Sequence, residues 1–326
     1  MARIGVIGGG AFGTAMACVA RRAGHAITLW AREPEVAAAV NADHINPAFL
    51  PGVPIASDIR ATHTLAAAVS GMDFILLAVP AQHLRSVARE MSPFLQAGTP
   101  VVTCSKGIER GSLALMPEML AETLPQSSVA ILSGPSFARE IASDLPCGVV
   151  LACANNETSY QLAAALRNPR FCVHPSRDLP GVAIGGVMKN VIAIASGIAA
   201  GRKLGENARA SVITLGLEEA MKLGAAKGAQ PATFLGLAGA GDMMLTANSL
   251  QSRNTSLGVA LGEGRSAAEV LAGRKQVTEG AHSAEAVVAL ARRLDVPMPI
   301  SEAVDQVLNH GADIDRMIAR LLSGFQ

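Results

Sequence analysis

The chain has 326 residues and a formal net charge of +1, and 50% of its residues are hydrophobic, 16% charged and 3% aromatic. That length accommodates two domains with a sizeable core. With no basic run and no basic–aromatic interleaving, a nucleic-acid surface is excluded. The five cysteines (Cys18, Cys104, Cys147, Cys153, Cys172) are scattered and odd in number, without a C-x-x-C pair. They read as small core hydrophobes in a reducing compartment. The seven histidines show no metal-binding spacing, so no metal site is expected. Met1-Ala2-Arg3 leads straight into a strand-like run, which predicts no signal peptide and a cytoplasmic location.

Ile4 to Ile7 is a short apolar run followed by Gly8-Gly9-Gly10-Ala11-Phe12-Gly13 and an alanine-rich helical stretch, Thr14 to Ala23. Gly8, Gly10 and Gly13 occupy the three positions of G-x-G-x-x-G. The first permits a tight turn, the second lets a pyrophosphate approach the backbone, and the third lets helix and strand pack closely. The first amides of the helix then face the phosphates. The setting between strand and helix favours dinucleotide binding over a ligand-free turn. A second strand, Ala26 to Trp30, ends in Ala31-Arg32-Glu33. NAD-selective sites usually place an acidic residue at the strand end. Arg32 there suits a 2′-phosphate, so NADP is accepted; the competing reading makes Arg32 the solvated start of the next helix.

After a proline- and asparagine-containing loop, His44 to Pro54, strand–helix alternation resumes. Asp73 to Val79, Val101 to Cys104 and Val129 to Leu132 read as buried parallel strands. They end at Pro80-Ala81-Gln82, Ser105-Lys106-Gly107 and Ser133-Gly134-Pro135-Ser136. Ligands bind at such carboxyl edges in open α/β sheets. Cys147 to Cys153 and Phe171 to His174 add further strands. Lys106 is equally compatible with a ligand contact and with a surface lysine.

Leu179 to Gly201 is almost wholly apolar or small, with Lys189 and Asn190 at its centre. A lysine at mid-bilayer costs roughly 2.5–3.5 kcal/mol, so a buried helix fits better than a membrane span. On that helix Gly186, Lys189, Ala193, Ser196 and Ala200 share a face. Burial lowers the pKa of such a lysine unless a carboxylate pairs with it. A snorkelling lysine is the structural alternative.

Helical periodicity continues over Asn207 to Ala226, Ser266 to Leu271 and Gly280 to Leu294. Asp242, after Gly239-Ala240-Gly241, either caps a helix or pairs with the buried lysine, and Thr246 lies four residues on, facing the same cavity. Ser252-Arg253-Asn254 offers a guanidinium fork and an amide to a phosphate, or else a serine cap followed by an exposed arginine. The expected architecture is a Rossmann-type doubly wound α/β sheet over residues 1–178, followed by an all-helical carboxy-terminal domain over 179–326.

Taken together, these motifs resemble the bacterial NAD(P)-dependent sn-glycerol-3-phosphate dehydrogenases over nearly the whole chain and in the same order. GGGAFGTAMA resembles their nucleotide fingerprint, SKGIE their lysine loop, and SGPSFARE a further segment of theirs. GGVMKNVIAIASGI resembles their catalytic-lysine helix, and NARAS, GLAGAGDMMLT, QSRN and QVTEG also correspond. The resemblance implies Lys189 as general acid/base beside a substrate carbonyl, with Asp242 fixing and charging it. It implies Lys106, Gly134, Ser136, Lys189, Asp242, Ser252, Arg253 and Asn254 as the site of dihydroxyacetone phosphate or sn-glycerol 3-phosphate. For the cofactor, NADP or NAD, it implies Gly8, Gly10, Ala11, Phe12, Gly13, Arg32, Lys106, Ala138, Arg253, Val277 and Glu279. A homodimer and a place in phospholipid synthesis also follow from it. Gly9 and Ala11 stand where relatives often carry alanine and serine, and Thr278 is a second departure. The rival readings are a 2-ketopantoate or β-hydroxyacid reductase, whose carboxylate substrates need no Arg253–Asn254 grip, and a non-catalytic dinucleotide sensor, which needs no buried amine.

Overall fold

A computed structural model describes residues 1–272 and 279–324. The chain divides into two compact units, residues 1–105 with 116–179, and residues 106–115 with 180–326.

The first unit is built on eight strands: β1 (Arg3–Ile7), β2 (Ala26–Trp30), β3 (Arg60–Thr62), β4 (Phe74–Leu77), β5 (Val101–Thr103), β6 (Val129–Ser133), β7 (Cys147–Cys153) and β8 (Phe171–Ser176). Their order across the sheet is β3-β2-β1-β4-β5-β6-β7-β8. All neighbours pair parallel except β6 with β7. The order reverses between β1 and β4, which is where a doubly wound sheet opens its ligand crevice. Seven helices belong to this unit: α1 (Ala11–Arg22), α2 (Pro34–Ala42), α3 (Leu65–Val69), α4 (Leu84–Met91), α5 (Met116–Thr123), α6 (Ala138–Ala142) and α7 (Asn156–Leu166). The central strands are buried along their length, as continuous Val/Ile/Leu runs require when both faces are covered. Strand β3 was not foreseen, because Arg-Ala-Thr on a sheet edge carries no apolar run.

The second unit holds α8 (Leu179–Gly201), α9 (Glu206–Ala226), α10 (Pro231–Leu235), α11 (Asp242–Asn248), α12 (Arg253–Gly262), α13 (Ala267–Ala272), α14 (Glu279–Arg293), α15 (Pro299–His310) and α16 (Ile314–Gly324). A π turn, Leu237–Gly241, leads into α11. The lysine helix α8 has the predicted bounds and is buried over most of its length. By length and composition it could cross a membrane, but its apolar surface is spent on the protein interior. Glycines make that possible. Gly197 and Gly201 lie against the backbone of α12 at Gly258 and Gly262, where a Cβ on either helix would overlap the other.

Two sequence expectations need amendment. Residues 106–115, which a division at 178/179 assigns to the first domain, pack with the second unit. Cys18, Cys104 and Cys153 are buried as expected, but Cys147 is only half-buried and Cys172 is exposed, its Sγ 3.5 Å from His174 Nε2.

One buried carboxylate organises the end of the second unit. Met298, which precedes α15, offers no side-chain cap. Glu219 of α9 takes over, accepting hydrogen bonds from Ile300 N (2.5 Å), Ser301 N (3.1 Å) and Ser301 Oγ (2.7 Å). Burial raises its pKa, and these three donors partly oppose that. Glu219→Ala leaves those donors buried without a partner, so it should lower the stability to urea unfolding by about 2–3 kcal/mol; an unchanged unfolding midpoint would refute the capping role.

Candidate functional site

The glycine loop follows β1. Gly8 has φ +128°, in the region open to glycine, and its amide donates to Trp30 O at 3.0 Å. A Cβ on Gly13 would overlap the Gly8 carbonyl, so helix and loop touch there. At Gly10 the opposite holds: nothing lies within 4 Å of where a Cβ would project. Gly10 also precedes α1 as an N-cap with no side chain to satisfy the first-turn amides. Ala11, Phe12 and Gly13 open that helix, with Ala11 and Phe12 partly buried against the core. Open space at Gly10 with uncapped helix-start amides fits a dinucleotide pyrophosphate.

Beyond β2, Arg32 extends outward with its side chain 76% exposed and its Nη2 3.0 Å from Glu33 Oε1. Glu33 thus engages Arg32. Gly134, at φ +143°, packs closely on Val149, and Ser136 Oγ donates to the Gly134 carbonyl at 2.9 Å. Ala138 is the first residue of α6.

The charged centre lies in the second unit. Asp242, the first residue of α11, is fully buried. Its Oδ1 accepts from Lys189 Nζ at 2.6 Å and its Oδ2 from Lys106 Nζ at 2.6 Å. Thr246 Oγ1, one turn along, donates to Oδ1 at 3.3 Å. The lysine side chains are 13% and 12% exposed, so neither snorkels. The sequence reading paired Asp242 with Lys189 alone; the structure adds Lys106. Burial by itself would raise the Asp242 pKa, but the two ammonium groups outweigh it and hold the carboxyl below its ordinary value. For Lys189 burial dominates; Asp242 opposes it and Lys106 reinforces it, and the pKa falls to about 8. The amine is therefore poised to hold or release a proton near neutrality.

Next to this cluster a chain of amides runs from α14 to α8. Gly280 N donates to Asn254 Oδ1 at 3.0 Å, and Asn254 Nδ2 donates to Asn190 Oδ1 at 2.8 Å. The polarity of the chain fixes both carboxamides and leaves the second N–H of Asn254 without a hydrogen bond among the described residues. Ser252 is the N-cap of α12, accepting from Thr255 N at 3.2 Å. Arg253 opens that helix; burial lowers its pKa while Glu279 opposes, and it remains cationic. Glu279 begins α14, whereas Val277 lies outside the described residues. Ser196, predicted on the lysine face of α8, donates to Ala247 O at 3.1 Å and so ties α8 to α11.

Two residues escaped the sequence reading. Asn46 is fully buried, and its Nδ2 donates to Gly9 O and to Thr14 Oγ1, both at 2.8 Å, so it props the glycine loop. Asn190 stands out in the sequence only as Lys189's neighbour. A lone asparagine in a loop, or beside a lysine, gives no periodic signal.

These features match known proteins. A family profile described as the N-terminus of NAD-dependent glycerol-3-phosphate dehydrogenase matches residues 3–159, and one for its C-terminus matches 178–319. The chain is 50% identical to the Rhodospirillum rubrum protein named glycerol-3-phosphate dehydrogenase (NAD(P)+), over 98% of this chain and 92% of that one. It is 50% identical to the Caulobacter vibrioides protein of the same name, over 98% and 97%. The crystal structure of glycerol-3-phosphate dehydrogenase from Coxiella burnetii is similar at a TM-score of 0.94, with 37% identity over 98% of both chains.

The electrostatics of the cluster are open to direct test. Asp242 raises the Lys189 pKa, so Asp242→Asn should move the titration midpoint of Lys189 downward from about 8, read from its side-chain NMR resonance. A midpoint that stays or rises would mean that the carboxylate does not hold the proton on the amine.

Proposed function

The chain belongs to the NAD-dependent glycerol-3-phosphate dehydrogenase family, and from that premise we propose how its residues reduce dihydroxyacetone phosphate to sn-glycerol 3-phosphate. The reading is carried by one observation, the buried Asp242 with a lysine amine on each of its oxygens. A bound NADH or NADPH supplies the hydride to the ketone carbon.

As the carbonyl oxygen gains charge, Lys189 Nζ hydrogen-bonds it and delivers the proton, completing the alcohol. In the reverse direction Nζ takes the proton from the hydroxyl. Three charged groups, two cationic and one anionic, give the resting cluster a net charge of +1, the sign that stabilises an alkoxide. Once Lys189 is neutral, Lys106 still pairs Asp242, so the carboxylate is not left as a bare buried charge. Thr246 holds the orientation of Asp242. Arg253 and the second N–H of Asn254 grip the phosphate, beside helix-start amides of α12. With a dinucleotide bound, Gly8, Gly10, Ala11, Phe12 and Gly13 would cradle its pyrophosphate, Ala138 and Glu279 would be further cofactor contacts, and Arg32 would meet a 2′-phosphate; Gly134 and Ser136 would be further substrate contacts.

We infer a cytoplasmic homodimer from the family resemblance. Sedimentation equilibrium should give twice the monomer mass; a monomer mass would refute this.

One assay series tests the chemistry. Oxidation of NADPH or NADH should be rapid with dihydroxyacetone phosphate and slow with dihydroxyacetone, because the phosphate grip is lost. Lys189→Ala should lower kcat by roughly 10²–10⁴-fold with the fold intact. Arg32→Ala should lower the NADPH to NADH preference roughly tenfold, about one charge-assisted hydrogen bond. Equal rates with both ketones, or full turnover without Lys189, would refute the assignment.

A further inference from the structure

Lys106 reaches Asp242 from the first residue of a hairpin, 106–115, that leaves β5 and packs as part of the second unit. The hairpin keeps its own shape by internal bonds. Ile108 bridges Leu115, Glu109 N donates to Ala114 O at 2.9 Å, and Ser112 Oγ donates to Glu109 Oε2 at 2.6 Å. Gly111 (φ +84°) and Leu113 (φ +60°) take left-handed conformations that turn the tip back. Each of these bonds lies within the hairpin.

Two arginines attach the hairpin to α14. Arg110 Nη2 donates to His282 Nδ1 at 3.0 Å and lies 3.5 Å from Glu285 Oε2, both on the first turns of α14. Arg293 Nη1, from the last turn of the same helix, donates to Ser112 O at 3.1 Å. The contacts sit toward opposite ends of α14 and together hold the tip of the hairpin, at residues 110 and 112, against that helix. His282 must be neutral to accept from a guanidinium. Burial, reinforced by Arg110 and opposed by Glu285, lowers its pKa and keeps it so at neutral pH. The first turn of α14 is in turn tied to α8 through Gly280, Asn254 and Asn190. One helix therefore touches the segments that carry both lysines.

We propose that Arg110 and Arg293 are positioning residues that clamp the 106–115 hairpin to α14 and thereby set the Lys106 ammonium on Asp242. Neither touches the reacting groups. The proposal rests on the reading of Lys106, Asp242 and Lys189 as the reaction centre. Arg110 is 49% exposed and Glu285 59%, so a single exposed pair contributes little by itself, and the two arginines act jointly. A displaced Lys106 has a distinctive signature, because its charge is one of the influences holding the Lys189 pKa down. Among the described residues, the charged groups facing Lys189 are Asp242 of α11 and Lys106 of the hairpin.

The test compares wild type, Lys106→Ala, the double variant Arg110→Ala/Arg293→Ala, and Arg110→Lys/Arg293→Lys. The readout is the pH profile of kcat/KM for dihydroxyacetone phosphate reduction, with circular dichroism and thermal melting confirming an intact fold. Wild type should lose activity as the pH rises through about 8, where Lys189 gives up its proton. The double alanine variant should lose roughly tenfold in kcat, within the range that small misplacements cause, and its falling limb should move to higher pH, as in Lys106→Ala. The lysine replacements should restore part of both. A double variant with the wild-type limb overturns the proposal when Lys106→Ala is shifted, whether or not its kcat falls. If Lys106→Ala itself shows the wild-type rate and limb, the reading of the reaction centre fails, and the clamp with it.

Discussion

A carboxylate with no solvent exposure is costly to keep ionised, and Asp242 is kept ionised by two lysines that approach its two oxygens. Each partner is itself mostly buried and would pay for its charge alone. The three groups are therefore mutually dependent: removing either lysine weakens the case for the carboxylate, and removing the carboxylate leaves two ammonium groups facing each other. This constraint explains why so much of the second unit is committed to holding three side chains. Helix α8 places Lys189, the first turn of α11 places Asp242, and the 106–115 hairpin places Lys106.

The same constraint yields the chemistry. A lone buried lysine would lose its proton, and a lysine in a full ion pair would keep it too firmly. With one carboxylate shared between two amines, Lys189 retains a proton that it is able to give away, as its lowered pKa records. Lys106 compensates the carboxylate throughout. In the proposed mechanism, general acid/base work and electrostatic stabilisation therefore come from one arrangement instead of two.

Around the cluster, backbone proximity replaces side-chain bulk. Glycines on α8 and α12 bring two helices into direct backbone contact. Thr255 Oγ1 donates to Thr246 O at 2.5 Å and Ser196 Oγ to Ala247 O, so both helices are also bonded to α11. These contacts make the position of Asp242 a property of the packed helices, not of a loop. In the first unit the same economy appears at Gly8 and Gly13, where loop and helix meet with no room for a side chain.

The sequence by itself determined what neighbouring residues control. Apolar runs and their spacing gave all but one of the strands and the bounds of α8, since periodicity and steric preference act between residues close in the chain. The glycine fingerprint was legible for the same reason, and so were Lys189, Asp242 and the Ser252 cap as candidates. Other features were decided only in three dimensions. Lys106 and Asp242 are 136 positions apart, and no spacing rule links them. Asn46 reaches the glycine loop from a loop whose composition predicts only irregular backbone. The hairpin that carries Lys106 sits in the first half of the chain yet packs with the second unit, because its bonding partners on α11 and α14 lie there. Which buried charges pair is settled by the path of the whole chain, since a Coulomb partner need only be close in space.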